Sequence, residues 1–181
     1  MHGPASPGWL LVALCAGTGA YCLVRMRSHR EEQRRAAGGE ALMGFGMAVM
    51  AVPAAVVTPP RWAWVAYAVV FGGAALRALW AARTHAHHLH HLVGTLAMVY
   101  MAAEMAASAG HHDHGGVPLL TGVLLLYFAA YTLWSGVRLV PLTAAPAAGG
   151  TRAVGWGDRP ELSRACRLSM AIAMLAMLLA L

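Results

Sequence analysis

The stretch THAHHLHHLVGTLAMVYMAAEMAASAGHHDH, residues 84–114, decides how the rest of the chain is read. Its middle is an apolar helix, with histidines crowded at both ends and methionines spaced between them. His91, Met98, Met105 and His112 recur every seven residues, which on a helix gives one slowly drifting stripe. Met101 lies one turn from both Met98 and Met105 and widens that stripe, and His88 sits one turn before His91. Imidazole nitrogen and thioether sulfur form a soft ligand set, the kind that selects copper and above all Cu(I). A helix that only filled space would not need five histidines at one end and three at the other.

The surrounding sequence places this helix in a membrane. Of 181 residues, 59% are hydrophobic and only 11% charged, against roughly 25% charged in an average soluble domain. The length suits one compact bundle, a single domain over residues 1–181. A bilayer core takes about 20 apolar helical residues to cross. Six segments meet that need: 8–24, 41–57, 62–82, 88–109, 117–137 and 162–181. The second is expected to stop at Thr58-Pro59-Pro60, where two prolines end a helix. The sixth opens on Asp158 with Glu161 three residues later, an N-cap signature. Arg164 and Arg167 are expected to snorkel to the interface. Residues 141–160, rich in Ala, Gly and Pro, read as a flexible cytoplasmic loop.

The formal charge of +6 comes from thirteen arginines and no lysine. Their placement speaks for topology rather than for nucleic acid. With the N-terminus outside, twelve lie on or near the cytoplasmic side and only Arg61 lies on the other. Both termini are therefore expected outside, in the plasma (inner) membrane, with the first span uncleaved because a basic leader region is missing. His111, His112 and His114 then face out, and the cluster of His85, His87, His88, His90 and His91 faces in.

A repeat supports this arrangement. Span two carries Met43, Met47 and Met50, and span six carries Met170, Met174 and Met177. Both fit M-x3-M-x2-M, which sets three sulfurs on one helical face. Span four has the same pattern with Gly94 in the first place, followed by Met98 and Met101. The expected fold is thus all-α, a polytopic membrane bundle of six transmembrane helices in three hairpins around a methionine-lined centre.

Each feature has a plain structural reading as well. Methionine is a flexible apolar filler, and histidines at a helix end can form an interfacial belt. The histidine pairs at i,i+3 and i,i+4 can share a metal, but without the Glu of HExxH they suggest no hydrolysis. Glu104 is an ionisable residue within a span and so a functional candidate; it lies between Met101 and the outer histidines. Glu40 is read as opening span two, where the helix dipole favours a negative charge. Cys15, Cys22 and Cys166 show no CxxC pair. Cys15 reads as a small buried residue, while Cys22 and Cys166 fall near cytoplasmic helix ends where a metal or redox role is open. No nucleotide fingerprint, P-loop or nucleophile elbow is present, so an enzyme is not expected.

The Met-triplet helices (MGFGMAVM, LAMVYM, MAIAMLAM), the histidines entering span four and the arginine-only cytoplasmic loops resemble the DUF5134 family, an actinobacterial group of small multi-pass membrane proteins. The resemblance covers most of the chain. It implies an integral plasma-membrane protein and no particular activity. Members of that group place a histidine ahead of the first Met triplet, where this chain has Glu40.

The expectation is a copper-handling protein, either a permease or a metal-relay partner, with copper ions, the lipid bilayer or another membrane protein as partners. His111, His112 and His114 would capture the ion, with Glu104 nearby. Met105, Met101 and Met98 would pass it along, facing Met43, Met47, Met50, Met170, Met174 and Met177. His88 and His91 would receive it. The alternatives are a non-catalytic accessory subunit with Met-rich packing faces and a haem-binding electron-transfer protein.

Overall fold

A computed structural model describes residues 5–27, 31–53, 56–82, 89–108, 117–139 and 160–180. They form six helices: α1 (Ala5–Arg25), α2 (Glu31–Met50), α3 (Arg61–Ala82), α4 (Leu89–Ser108), α5 (Pro118–Leu139) and α6 (Pro160–Leu179). The all-helical expectation is met. Among the described residues, α1, α3, α5 and α6 each contain a stretch long and apolar enough to cross a membrane. Their outer faces carry exposed Leu10, Val69, Leu76, Leu126 and Leu133. Contiguous apolar surface of that kind suits lipid rather than water.

The other two helices are more polar for identifiable reasons. α2 begins with Glu31, Gln33, Arg34 and Arg35, and α4 carries His90, His91 and Glu104. Both nevertheless hold the centre. α1 packs closely on α2, α3 on α4 and α5 on α6, while looser contacts of α2 with α4 and α6, and of α1 with α6, join the pairs. Buried Met43, Met47, Met98, Met101, Met170 and Met174 fill the space between α2, α4 and α6.

The second helix differs from the expected 41–57. It starts ten residues earlier, at Glu31, and ends at Met50. Hydropathy marks only the apolar part of a helix, and the charged first turns are helical too, supported by the Glu31–Arg35 ion pair at i,i+4. The stop is set by Pro53, ahead of the Thr58-Pro59-Pro60 break. The residue before a proline avoids helical geometry, and Val52 already lies outside the helix.

Glycines let the helices approach. A Cβ added to Gly44 would lie 2.9 Å from the Gly19 Cα and 3.1 Å from the Cys15 carbonyl oxygen. The backbones of α1 and α2 therefore touch, as small residues allow between membrane helices. The stacked rings of Tyr67 and Phe71 on α3 (centroids 4.4 Å apart) lie over Gly46 of α2. On the other side, His90 stacks on Tyr131 of α5 at 3.7 Å between centroids, with Nδ1 3.2 Å from the Tyr127 hydroxyl. The Tyr100 and Thr121 hydroxyls pair at 2.8 Å and complete the join of α4 to α5.

Candidate functional site

Two chemically different zones make up the centre: a cluster of thioethers and, at one end of it, a group of charged and thiol side chains. The thioether zone follows from three matching faces. On α2, Met43, Met47 and Met50 are buried; on α4, Met98 and Met101; on α6, Met170 and Met174. Met105 and Met177 are partly buried against the same core. The Tyr67 hydroxyl donates to the Met98 sulfur at 3.7 Å. Gly94, which replaces the first methionine of the α4 triplet, has a physical reason. A Cβ there would meet the Met43 methyl at 2.8 Å, so the methionine of α2 occupies the place that α4 leaves vacant.

The polar zone is centred on Glu40, whose side chain is 0% exposed. Its Oε2 accepts a hydrogen bond from the Arg25 guanidinium at 2.7 Å, and its Oε1 accepts one from Arg167 Nε at 2.7 Å. Nε2 of His91 stands 3.9 Å from Oε1. The Cys22 thiol lies 3.7 Å from Oε2, and Cys166 on α6 packs against the same core. Two guanidinium groups on one carboxylate are short, charge-assisted contacts, and a buried carboxylate needs such partners. The match is unequal. Glu40 supplies one negative charge, and Arg25 with Arg167 supply two positive ones. Arg25 is 4% exposed, and its Nε has no hydrogen-bond partner among the described residues.

This corrects the reading of Glu40 as a residue at a helix start. It sits mid-helix in α2, nine residues after Glu31, and side chains rather than the helix dipole neutralise it. Arg167 likewise turns inward to Glu40 in place of snorkelling outward, whereas Arg164 is exposed. Cys15 is buried, as expected of a small core residue. Cys22 and Cys166, which sequence spacing does not connect, meet.

Of the expected site residues, Met43, Met47, Met50, Met98, Met101, Met170 and Met174 are brought together in one core, with Met105 and Met177 at its margin. His91 belongs to the Glu40 zone. Glu104 is partly exposed on α4, near the last described residues of that helix. His88, His111, His112 and His114 lie outside the described residues, as do His85, His87 and Asp158, the expected N-cap. Among the described residues, no group of three or more His, Cys, Asp or Glu side chains is arranged to hold a metal ion.

The residues missing from the sequence reading were visible in register. Glu40, Met43, Met47 and Met50 share one helical face, as do Cys166, Met170, Met174 and Met177, and as do His91, Met98, Met101 and Met105. A polar residue in register with a buried stripe is itself a buried residue with partners to find. Each methionine stripe is thus headed by a polar side chain, and the three heads gather at one end of the bundle.

No curated protein and no solved structure matches this chain. Residues 32–181 match a family described as a domain of unknown function. That span takes in five of the six helices, with the Met triplets of α2, α4 and α6, Glu40, Cys166 and Arg167, so the chain belongs to the DUF5134 family.

Proposed function

We propose that this protein is a non-enzymatic, multi-pass protein of the plasma membrane that binds and relays Cu(I) through the thioether core of α2, α4 and α6. All six helices then span the bilayer, with both termini outside and the Glu40 zone at the cytoplasmic end. One observation carries this reading: thioethers from three helices share a single buried core. Thioethers bind Cu(I) without having to lose a proton, and an ion can move between them without a change of charge at each step. The same donor set disfavours zinc, which prefers thiolate, imidazole and carboxylate. His111, His112 and His114 would supply the outer capture site, with Glu104 beside the entrance, and His88 and His91 the inner end.

A second reading is favoured by the fit of Met43 into the space above Gly94. That fit is what a packing interface would also show, and methionine is well suited to it. In this reading the protein is an accessory subunit and its core is structural.

The two readings part on Met98→Leu/Met101→Leu. Leu for Met conserves volume and costs less than about 1.5 kcal/mol at each site, so the variant folds in either case. Cu(I) titration of the detergent-purified protein decides between them. Fewer copper equivalents bound by the double variant than by the wild type support the relay. Equal copper in both proteins, or none in either, means that the methionines only pack.

A further inference from the structure

Among the described residues, the Glu40 zone has unspent positive charge and two thiols beside it, and neither is explained by packing. Counting the groups that are charged in a neutral-pH protein, Arg25 and Arg167 exceed Glu40 by one. A buried excess charge is costly unless something negative answers it. Arg167 is 41% exposed along its side chain and can be partly solvated, but Arg25 is 5% exposed. Among the described residues, Arg25 Nε is also a buried donor with no acceptor. The Cys22 thiol lies 3.7 Å from Glu40 Oε2, and Cys166, the chain neighbour of the Arg167 that holds Oε1, packs against the same core. They come from the first and the last helix, so their meeting is a product of the whole fold.

We propose that Cys22 and Cys166 together form a two-thiolate Cu(I) site at the Glu40 end of the thioether core. This rests on the copper reading above and gives the relay a terminus. Two thiols and one Cu(I) give a bis-thiolate complex with one negative charge and release two protons. That single negative charge is the one by which the two arginines exceed Glu40. The complex therefore brings the buried zone to neutrality, and the spare N–H of Arg25 faces an anionic group. Thiolates are soft donors that select Cu(I), and two of them hold the ion more firmly than thioethers do. An ion entering through the methionines thus moves toward stronger ligands. Cys166 continues the stripe of Met170 and Met174 one turn further, so the last thioether and the first thiolate are neighbours on α6. The protons leave on the side where Arg167 and His91 reach the surface. Glu40 positions the site through the arginines and is not a ligand.

The test uses the full chain in detergent, kept reduced, with Cu(I) delivered against a chromogenic Cu(I) chelator. Wild type is compared with Cys22→Ser/Cys166→Ser and with Met98→Leu/Met101→Leu. Loss of outer-shell partners alone weakens metal sites by ~10–100-fold. The cysteine variant, which loses the ligands themselves, is expected to weaken the tightest equivalent by ~100-fold or more. The methionine variant keeps that equivalent and loses the weaker ones. A second measurement needs no variant: one equivalent of Cu(I) protects the partly exposed Cys166 of the wild type from maleimide.

Copper affinity unchanged in the cysteine variant, without protection from maleimide, overturns the thiolate site and leaves the thioether relay standing. A tight equivalent that survives in the methionine variant, with no weaker equivalents in the wild type, keeps the thiolate site and overturns the relay. An absence of copper binding overturns both.

Discussion

Replacing Glu40 by Ala tests the account of the buried charge cluster most directly. The substitution removes two contacts of 2.7 Å, to Arg25 and to Arg167, and leaves both guanidinium groups without their counter-ion. The two losses are unequal. Arg167, with 41% of its side chain exposed, can turn to water, and its share falls in the range of exposed pairs, about 0–1 kcal/mol. Arg25 is 5% exposed and held in the last turn of α1, where water has little access. Breaking a buried pair by removing one partner costs ~3–5 kcal/mol, so the expected loss for Glu40→Ala is ~3–5 kcal/mol, nearly all of it owed to Arg25. Removing the stranded charge as well should restore most of it. Arg25→Leu/Glu40→Leu is expected within ~1 kcal/mol of the wild type, because an apolar pair of similar volume replaces a buried ion pair at little cost. Reversible unfolding in a graded detergent–SDS series, run on wild type, the two single Leu variants and the double variant, gives the coupling energy of the pair. Additive single variants, or a Glu40→Ala loss below ~1 kcal/mol, would refute the claim that Arg25 depends on Glu40.

Three further outcomes follow from packing, each read in the same unfolding series. Gly44→Ala pushes a methyl into the α1 backbone 2.9 Å away and is expected to cost ~1–3 kcal/mol, whereas Gly39→Ala on the same helix meets nothing within 4 Å and should be neutral or slightly stabilising. Gly94→Ala collides only with the flexible methyl of Met43, so its cost is expected to be smaller and to fall when Met43→Ala is combined with it; equal cost with and without Met43 would count against the fit between α2 and α4. Tyr100→Phe removes the 2.8 Å hydrogen bond to Thr121 that joins α4 to α5 and should cost ~1 kcal/mol, with Thr121→Val adding little once Tyr100 is changed.

The helices were legible in the sequence because an apolar stretch near 20 residues long is a strong signal, and five of the six boundaries fall within a few residues of expectation. α2 was misplaced because its first turns are charged and hydropathy does not register a helix that begins in water. The methionine core was legible in outline, since the spacing M-x3-M-x2-M fixes a face whatever the neighbours are. Its polar end was not. Arg25 and Glu40 belong to adjacent helices, but Arg167 lies 127 residues from Glu40, and no local pattern connects them. Reading the arginines through the positive-inside rule as topology signals hid the two that serve as counter-ions. Met43 in the place left by Gly94 also needed the fold, because a missing methionine in a repeat does not say what fills its space.

The Glu40 cluster has a consequence for how the chain enters a bilayer. Arg25 and Glu40 are fifteen residues apart on successive helices, so the carboxylate meets its first counter-ion as soon as the α1–α2 hairpin closes. The opening pair of helices can therefore be handed from the insertion machinery to lipid with its buried carboxylate already paired, without an isolated Glu40 charge in hydrocarbon. Arg167 arrives only when the sixth helix docks, and it adds a positive charge to a pair already in balance. Completion of the bundle is thus an electrical event as well as a packing event. A nascent chain halted before α6 carries a settled hairpin, and the finished chain carries a charged centre that gives its last helix an address to find.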